Sequence, residues 1–323
     1  MGVALLVAAL VPSHAPAERR ALADVRTFGY QLQGYDEAAL QASPYDLLVI
    51  DTESDDGPWT AEQIAALRQG PCGPRIVLAY VSIGEAEDYR FYWDTLPRDL
   101  LAAENPKFRG NYAVRYWDPR WQRIVYGDLD GADESLIDRV VDAGFDGAYL
   151  DIIDAFEFWG PDEVGGTGER PTAAADMIAL VEGIADHARR VRGRPDFLVF
   201  PQNGSTIVTA PAHAAEPDPA LAAAAARARW FTVIAGIGAE DTFFFGRRKM
   251  NNPYRPQTTV IGLLEEYRAA GKTVLAIDYV SKRRKVERFY AECATRGWVP
   301  FVSNRGLSRI ARHRRAPIPA PCE

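Results

Sequence analysis

The chain has 323 residues, of which 47% are hydrophobic and 25% are charged, so it is long enough to bury one large core. Its net charge of -7 and its isoelectric point near 5.3 argue against a nucleic-acid partner, because nucleic-acid-binding domains usually carry a basic surface. Three cysteines and four histidines, widely spaced, predict neither a disulfide framework nor a zinc site, and we expect no metal and no cofactor.

The N-terminal segment, residues 1–17, is apolar through Val11 and then rich in small residues and proline. This pattern is typical of a secretory signal peptide, although the basic segment that normally begins one is missing. Either the leader is truncated or the segment is an apolar tail. We favour export, and we expect an extracellular or periplasmic protein. No apolar stretch is long enough for a membrane span.

Short apolar runs alternate with helical patterns along the whole chain. Continuous apolar runs of this kind are typical of strands that are buried on both faces of a parallel sheet. The strands are predicted at residues 26–33, 45–51, 75–82, 147–151, 196–203, 230–235, 273–278 and 299–303. The helices are predicted at residues 37–42, from Thr60 onward, and at 133–143, 172–192, 219–229, 260–270 and 282–296.

Eight strands that alternate with helices predict an α/β protein with a single (β/α)8 barrel over residues 22–312, followed by a proline-rich tail at 313–323. A doubly wound open sheet is the alternative. No glycine-rich nucleotide-binding loop follows the first predicted strand, so nothing favours that alternative. The long aromatic-rich segment at residues 88–120 follows the third strand, where loops often carry function.

Polar and acidic residues follow most of the predicted strands. In a (β/α)8 barrel, the carboxyl ends of the strands face the active site. A Ser-His-Asp hydrolase would need a histidine there, and a Schiff-base enzyme would need a lysine, but neither is present. An all-oxygen Mg²⁺ or Ca²⁺ site stays open. The candidate site residues are Tyr30, Asp51, Ser82, Glu85, Asp151, Asp154, Asn203, Glu240, Asp278 and Tyr279.

Carboxylates accompanied by many aromatic residues fit glycoside hydrolysis. One acid protonates the leaving oxygen, while the second attacks the anomeric carbon or activates water. Two carboxyls that lie close together split their pKa values, so one of them can stay protonated near neutral pH. Aromatic rings offer flat apolar faces to sugar C–H groups, and the candidates are Tyr30, Tyr80, Trp117, Trp159 and Tyr279.

Several motifs together resemble glycoside hydrolase family 114. The stretches that carry the resemblance begin at Tyr30, Leu48, Leu78, Tyr116, Phe145, Gln202 and Gly238, and the most informative are Leu78-Ala-Tyr-Val-Ser-Ile-Gly-Glu85, Phe145-Asp-Gly-Ala-Tyr-Leu-Asp151 and Gly238-Ala-Glu240-Asp-Thr-Phe-Phe. The resemblance implies a (β/α)8 barrel and endo-cleavage of α-1,4-linked galactosamine polymers. It also implies a catalytic pair made of an aspartate after strand four and a glutamate after strand six, which match Asp151 and Glu240.

From the residues and the resemblance, we expect a monomeric, exported, retaining glycosidase with Asp151 as nucleophile and Glu240 as general acid/base. Its partner would be a polysaccharide, and a cationic amino-sugar polymer suits a cleft floored by carboxylates. Substrate binding is assigned to Tyr30, Asp51, Ser82, Glu85, Asp154, Asn203, Asp278 and Tyr279. Two other classes stay open, namely a non-catalytic polysaccharide-binding barrel and a metal-dependent hydrolase.

Overall fold

A computed structural model of the protein describes residues 19–128, 134–161, 166–209 and 219–310. The predicted leader at residues 1–17 and the predicted tail at 313–323 lie outside the described residues, so the domain boundaries stay predictions. Among the helices that the structure describes, none combines the length and the apolar character that crossing a bilayer requires.

Eight strands form the centre of the molecule, and consecutive strands lie side by side and parallel. Five of them form one continuous sheet in chain order and three form another. A parallel bridge between Gln202 and Gly238 joins the two sheets. We number these barrel strands β1 Phe28–Tyr30, β2 Leu47–Asp51, β3 Ile76–Ser82, β4 Gly147–Asp151, β5 Leu198–Pro201, β6 Gly236–Glu240, β7 Thr273–Asp278 and β8 Val299–Val302.

The first and last strands meet and complete the ring. β1 lies beside β8, and the rings of Phe28 and Phe301 pack with their centroids 5.5 Å apart. Just beyond the strands, the amide of Leu32 donates a hydrogen bond to the carbonyl of Leu307 at 2.8 Å. The (β/α)8 prediction is therefore confirmed, and the carboxyl ends of all eight strands open on one face.

Helices surround the strands, and several begin at capping residues that the sequence supplies. Thr60 with Gln63 and Ser135 with Asp138 form capping boxes, in which side chains satisfy the free amides of the first turn. The α-helices are α1 Glu37–Gln41, α2 Ala61–Leu67, α3 Pro119–Tyr126, α4 Leu136–Asp142, α5 Ala155–Trp159, α6 Ala173–Asp186, α7 Pro219–Val233, α8 Thr258–Ala269 and α9 Arg283–Arg296.

The aromatic-rich segment after β3 forms a small antiparallel sheet above the barrel. Its three strands are Glu85–Glu87, Leu101–Glu104 and Asn111–Val114, with Glu85–Glu87 and Leu101–Glu104 paired on either side of Asn111–Val114. Two short hairpins, at residues 53–58 and 69–74, complete the described strands. The small sheet places Glu85 beside the carboxyl ends of β3 and β4.

The position of the sixth strand was predicted wrongly. The run from Trp230 to Ala235 was assigned to a strand, but Trp230–Val233 is the last turn of α7 and β6 is Gly236–Glu240. A short apolar run fits a buried helix and a buried strand equally well, so periodicity could not decide. The correction moves Glu240 from a loop to the last residue of a barrel strand.

Two glycines of β6 make room for aromatic side chains that fill the barrel. A Cβ on Gly236 would lie 2.1 Å from the ring of Phe200, and a Cβ on Gly238 would lie 1.7 Å from the hydroxyl of Tyr149. Real Cβ atoms do not approach other atoms so closely. The ring of Tyr149 in turn packs against that of Tyr30, with centroids 5.3 Å apart. The spacing between β4 and β6, and hence between their carboxyl ends, depends on this packing.

We predict that Gly238→Ala destabilises the fold by about 1–3 kcal/mol, because the added methyl overlaps Tyr149 in a filled core. The matched control is Gly262→Ala in α8, where an added Cβ meets nothing within 4 Å. This control should be neutral or should stabilise the helix by about 0.5–1 kcal/mol. Urea unfolding of both variants measures the difference, and equal stabilities would contradict the packing that we describe.

Candidate active site

Asp151 is the last residue of β4, at the mouth of the barrel. Its Oδ2 accepts a hydrogen bond from the hydroxyl of Tyr80 at 2.7 Å, and its Oδ1 accepts one from the amide of Ile152 at 2.8 Å. Tyr80 stands on β3, opposite Tyr149 in the register of the two strands. Two neighbouring elements thus fix the carboxyl of Asp151, which does not cap a helix.

Glu240 occupies the equivalent position at the end of β6. Its Oε2 accepts a hydrogen bond from the side-chain amide of Asn203 at 3.2 Å, and its backbone amide donates to Asn203 Oδ1 at 3.0 Å. The hydroxyl of Tyr279 donates to Oε1. Asn203 follows β5 and Tyr279 follows β7, so both flanking strands orient this carboxyl.

The two carboxyls interact electrostatically. Burial first, and then the negative charge of Glu240, raise the pKa of Asp151 to about 8, while the hydrogen bond from Tyr80 opposes the rise. Burial also raises the pKa of Glu240, and the hydrogen bond from Asn203 partly offsets that effect. Carboxyls coupled in this way titrate as a pair, and this pair can hold a proton near neutral pH.

Three consecutive barrel strands end in a strained backbone. Ile152, Asn203 and Asp241 follow β4, β5 and β6 with φ of 60°, 59° and 53°, in the left-handed region that a β-branched residue such as isoleucine rarely enters. Gly84 leaves the space that the backbone of Ile152 needs, since a Cβ on Gly84 would lie 2.2 Å from the carbonyl oxygen of Ile152. Strain of this kind concentrates at functional sites, and here it flanks Asp151 and Glu240.

A second pair of acids lies beside Asp151. Glu85 is 8% exposed, and its Oε1 accepts a hydrogen bond from Asn105 at 2.9 Å, whereas its buried Oε2 has no hydrogen-bond partner. Asp154 directly precedes α5, but its side chain accepts no hydrogen bond from the amides of the first helical turn. Desolvation first, and then Glu157 and Glu85, raise the pKa of Asp154 to about 6. These carboxyl groups form an acidic wall whose negative charge no ion pair among the described residues neutralises.

The hydroxyl of Ser82 has an internal partner. It donates to the carbonyl of Glu85 at 2.9 Å, and the residue is 3% exposed. Ser82 lies opposite Asp151 in the register of β3 and β4. Its contact holds the turn that carries Glu85 over the end of β3, so its contribution to the site is to place Glu85.

Asp51 forms an ion pair with Arg90, a residue that no sequence motif singled out. Arg90 contacts Asp51 Oδ1 and Oδ2 at 2.7 Å and 2.8 Å, and its Nε contacts Glu87 at 2.7 Å. The guanidinium is almost fully buried between the two carboxylates. Asp51 therefore anchors the segment after β3, and its two oxygens are already occupied by a cation.

The prediction that Asp278 lines the cleft is corrected by its burial. Asp278 is 0% exposed, and its carboxylate accepts hydrogen bonds from the amides of Phe243 and Phe244 at 3.1 Å and 3.2 Å. Burial raises its pKa to about 8. A carboxyl enclosed in this way cannot reach a ligand in the cleft, and it instead fixes the loop that follows Glu240.

Tyr30 lies beneath Asp151 and Glu240 and is 1% exposed. Its hydroxyl donates to Gln202 Oε1 at 2.9 Å, and burial followed by the charge of Asp151 raises its pKa. Trp159 is also buried, and it packs edge-on against the half-buried Trp117 with centroids 5.1 Å apart. Of the proposed aromatic residues, Tyr80 and Tyr279 contact the carboxyls directly, and the buried Tyr30 packs against Tyr149 below them.

Arg305 was missed by the sequence reasoning. Its guanidinium pairs with Asp241 through both oxygens, at 2.5 Å and 2.9 Å, and lies over the ring of Tyr279 at 3.8 Å. It holds the residue after Glu240 and the tyrosine that contacts Glu240. Its position just after the eighth predicted strand is the sequence feature that could have marked it as a candidate site residue. Within the described ranges, no group of three or more His, Cys, Asp or Glu residues could hold a metal ion.

We predict opposite shifts of the pKa of Asp151 in two variants. Glu240→Gln removes a neighbouring negative charge and should lower this pKa, whereas Tyr80→Phe removes a hydrogen bond to the carboxylate and should raise it. A ¹³C NMR titration of the side-chain carboxyls, with Asp151→Asn used to assign the signal, measures both. An unchanged pKa in Glu240→Gln would mean that the two carboxyls do not interact.

The chain is similar over most of its length to several proteins. The profile of glycoside-hydrolase family GH114 matches residues 10–317. An uncharacterized protein of Deinococcus radiodurans is 33% identical over 309 residues, which cover 93% of this chain and 87% of that protein. An uncharacterized protein of Methanocaldococcus jannaschii is 32% identical over 299 residues, which cover 88% of this chain and 77% of that protein.

Solved structures show the same fold at low sequence identity. The glycoside hydrolase domain of PelA from Pseudomonas aeruginosa has a TM-score of 0.62 and 17% identity, covering 90% of this chain and 98% of that one. Aspergillus fumigatus Ega3, in complex with galactosamine, has a TM-score of 0.61 and 16% identity, and the match covers 91% of this chain and 97% of that one. With the profile match across the barrel, these findings lead to one conclusion: the chain belongs to glycoside-hydrolase family GH114.

Proposed function

We propose that the protein is an exported, retaining endo-glycosidase that cleaves an α-1,4-linked galactosamine polymer. The observation that carries the proposal is the pair of coupled carboxyls, Asp151 and Glu240, at the ends of β4 and β6. A glycosidase needs one carboxyl that donates a proton and one that is ionised. A coupled pair that shares a proton near neutral pH supplies both states.

In the proposed reaction, Glu240 gives its proton to the glycosidic oxygen as the bond from that oxygen to the anomeric carbon breaks. Asp151 attacks the same carbon and forms a covalent glycosyl-enzyme ester. Glu240, now ionised, removes a proton from water, and the water oxygen displaces Asp151. In this reaction the proton that the pair retains resides on Glu240, and Asp151 is ionised. The hydrogen bonds from Tyr80 and Ile152 oppose the rise in the pKa of Asp151 and so favour that distribution.

The acidic wall supports an amino-sugar substrate. Glu85 has a carboxyl oxygen without a hydrogen-bond partner, and the charge of Glu85 contributes to the raised pKa of Asp154. A substrate ammonium group would compensate both charges, whereas a neutral sugar would compensate neither. The galactosamine in the Ega3 structure is a sugar of this class.

Two features support export. The leader-like segment at residues 1–17 precedes the barrel. Cys72 is disulfide-bonded, while Cys293 is free and buried in the core. Disulfides persist in oxidising compartments outside the cytosol. We therefore propose an extracellular or periplasmic location.

We predict that Asp151→Asn and Glu240→Gln each lower the release of reducing ends from a galactosamine polymer by about 10²–10⁴-fold. Glu266→Gln, on the outer helix α8, is the matched control and should keep full activity. Each assay is repeated with a chelator. Undiminished activity in folded Asp151→Asn would overturn the assignment, and loss of wild-type activity with the chelator would favour a metal-dependent hydrolase. Binding of polymer without any release would favour a non-catalytic barrel.

Azide separates the roles of the two carboxyls. With an activated aryl glycoside, Glu240→Ala should still form the glycosyl-enzyme, which azide then attacks to give a glycosyl azide of retained configuration. In Asp151→Ala, azide replaces the missing nucleophile and should give the inverted configuration. The configuration is read by NMR, and the opposite assignment of products would exchange the roles of Asp151 and Glu240.

We predict that Glu85→Gln raises the KM for the deacetylated polymer about tenfold, equivalent to ~1.4 kcal/mol, because the neutral amide no longer pairs with an ammonium group. The same variant should leave the KM for a fully N-acetylated polymer unchanged, since that polymer carries no ammonium groups. The glutamine keeps the shape of the side chain and its contact with Asn105. Equal effects on the two polymers would show that Glu85 does not recognise charge.

A further inference from the structure

A strongly basic surface adjoins the acidic cleft. It consists of residues 245–255, which follow β6, and residues 282–288, at the start of α9; we call it the basic rim. These two segments contain one acid, Glu287, although the whole chain carries a net charge of -7. The cations are Arg247, Arg248, Lys249, Arg255, Lys282, Arg283, Arg284, Lys285 and Arg288.

Most of these cations lack an anionic partner. Among the described residues, only Arg283 and Arg288 form ion pairs, with acids of their own helix. The side chains of Arg247 and Arg248 are exposed. Desolvation, followed by the positive charges of Lys282 and Arg248, lowers the pKa of Lys285. The rim therefore holds positive charge that repels itself and that an anion would stabilise.

The rim contains a half-open depression. Its loop lines a pocket of ≈ 470 Å³ that includes Arg247, Arg248 and Arg255. The exposed ring of Phe245 also lines this pocket and is 47% exposed. The volume suits a sugar unit, and a flat ring beside cations suits a ligand with both apolar C–H faces and negative charge.

Hydrogen bonds brace the loop against the helix. Asn252 accepts a hydrogen bond from the amide of Arg248 and donates one to its carbonyl, each at 2.9 Å. Asn251, with φ of 58°, accepts bonds from the amides of Ser281 and Lys282 at 2.9 Å and 3.1 Å. The cations therefore stand on a rigid base, which reduces the ordering cost of binding.

The rim is continuous with the catalytic centre. The Nε of Arg305 donates to the carbonyl of Lys249 at 3.4 Å, and its guanidinium lies over Tyr279, whose hydroxyl donates to Glu240. A chain that leaves the cleft past Glu240 would meet the rim next. A uniformly cationic polymer would be repelled there.

We propose that the basic rim binds acidic sugar residues of the polysaccharide whose amino-sugar segment occupies the cleft. The substrate is then a mixed polymer, with ammonium groups at the acidic wall and carboxylate, sulfate or phosphate groups at the rim. This inference rests on the proposed function. The pocket, the exposed aromatic ring and the continuity with the cleft favour a polysaccharide over a flat lipid surface or a nucleic acid.

The test is the binding of a fluorescent oligogalacturonide, measured by anisotropy. The wild-type protein should bind it, with an affinity that falls as NaCl rises. Arg247→Gln/Arg248→Gln should weaken binding about tenfold, equivalent to ~1.4 kcal/mol. The matched control, Arg227→Gln/Arg229→Gln, removes two arginine charges from α7 and should bind like the wild type. Circular dichroism checks that both variants are folded.

The result separates this inference from the proposed function. The rim variant should release reducing ends from the purely cationic galactosamine polymer at least at the wild-type rate, since removing rim cations removes no attraction for that polymer and lessens its repulsion. Absence of oligogalacturonide binding by the wild type, or an equal loss in both double variants, would overturn the inference. So would binding to a DNA oligomer or to vesicles of anionic lipid that is as tight as binding to the oligogalacturonide.

Discussion

The structure depends on holding two like-charged carboxyls, Asp151 and Glu240, in one poorly solvated place. Burial and mutual repulsion both disfavour their joint ionisation, so the pair retains a proton that a solvated pair would lose. Each carboxyl nevertheless receives hydrogen bonds from neighbouring strand ends, through Tyr80 for one and through Asn203 and Tyr279 for the other. The protein thus fixes the orientation of both acids, and among the described residues no cation forms an ion pair with either.

The backbone shows what this arrangement costs. Left-handed conformations at Ile152, Asn203 and Asp241 turn the chain sharply after three adjacent strands, and the first requires Gly84 to leave space. Such conformations persist only where surrounding contacts over-determine them. Here the contacts come from the strands themselves, because the amide of Ile152 bonds to the Asp151 side chain and that of Asn203 bonds to the Gly238 carbonyl. The strain and the orientation of the acids have a common origin.

Much of the fold could be predicted from the sequence, because buried parallel strands appear as apolar runs that end in polar residues. The pairing of Asp151 with Glu240 was instead implied by the resemblance to glycoside hydrolase family 114. The sixth strand could not be predicted from the sequence. Its sequence, Gly236-Ile-Gly-Ala-Glu240, has little strand propensity, since Gly236 and Gly238 accommodate Phe200 and Tyr149 from other strands. That constraint is tertiary and is invisible along the chain. The true role of Asp278 was hidden for the same reason, since a strand-end acid looks alike whether it faces the cleft or a loop amide.

Pairing with arginine divides the acids of this face into two kinds. Asp51 shares Arg90 with Glu87, and Asp241 has Arg305, so these acids stabilise loops and leave little charge for a ligand. Among the residues that the structure describes, the charge left without a cation lies at Asp151, Glu240 and the acidic wall, while the opposite charge is left without an anion over most of the basic rim. Both excesses are local and are braced by hydrogen bonds, so they persist in the folded protein. A ligand that relieves both must itself carry both signs of charge along its length.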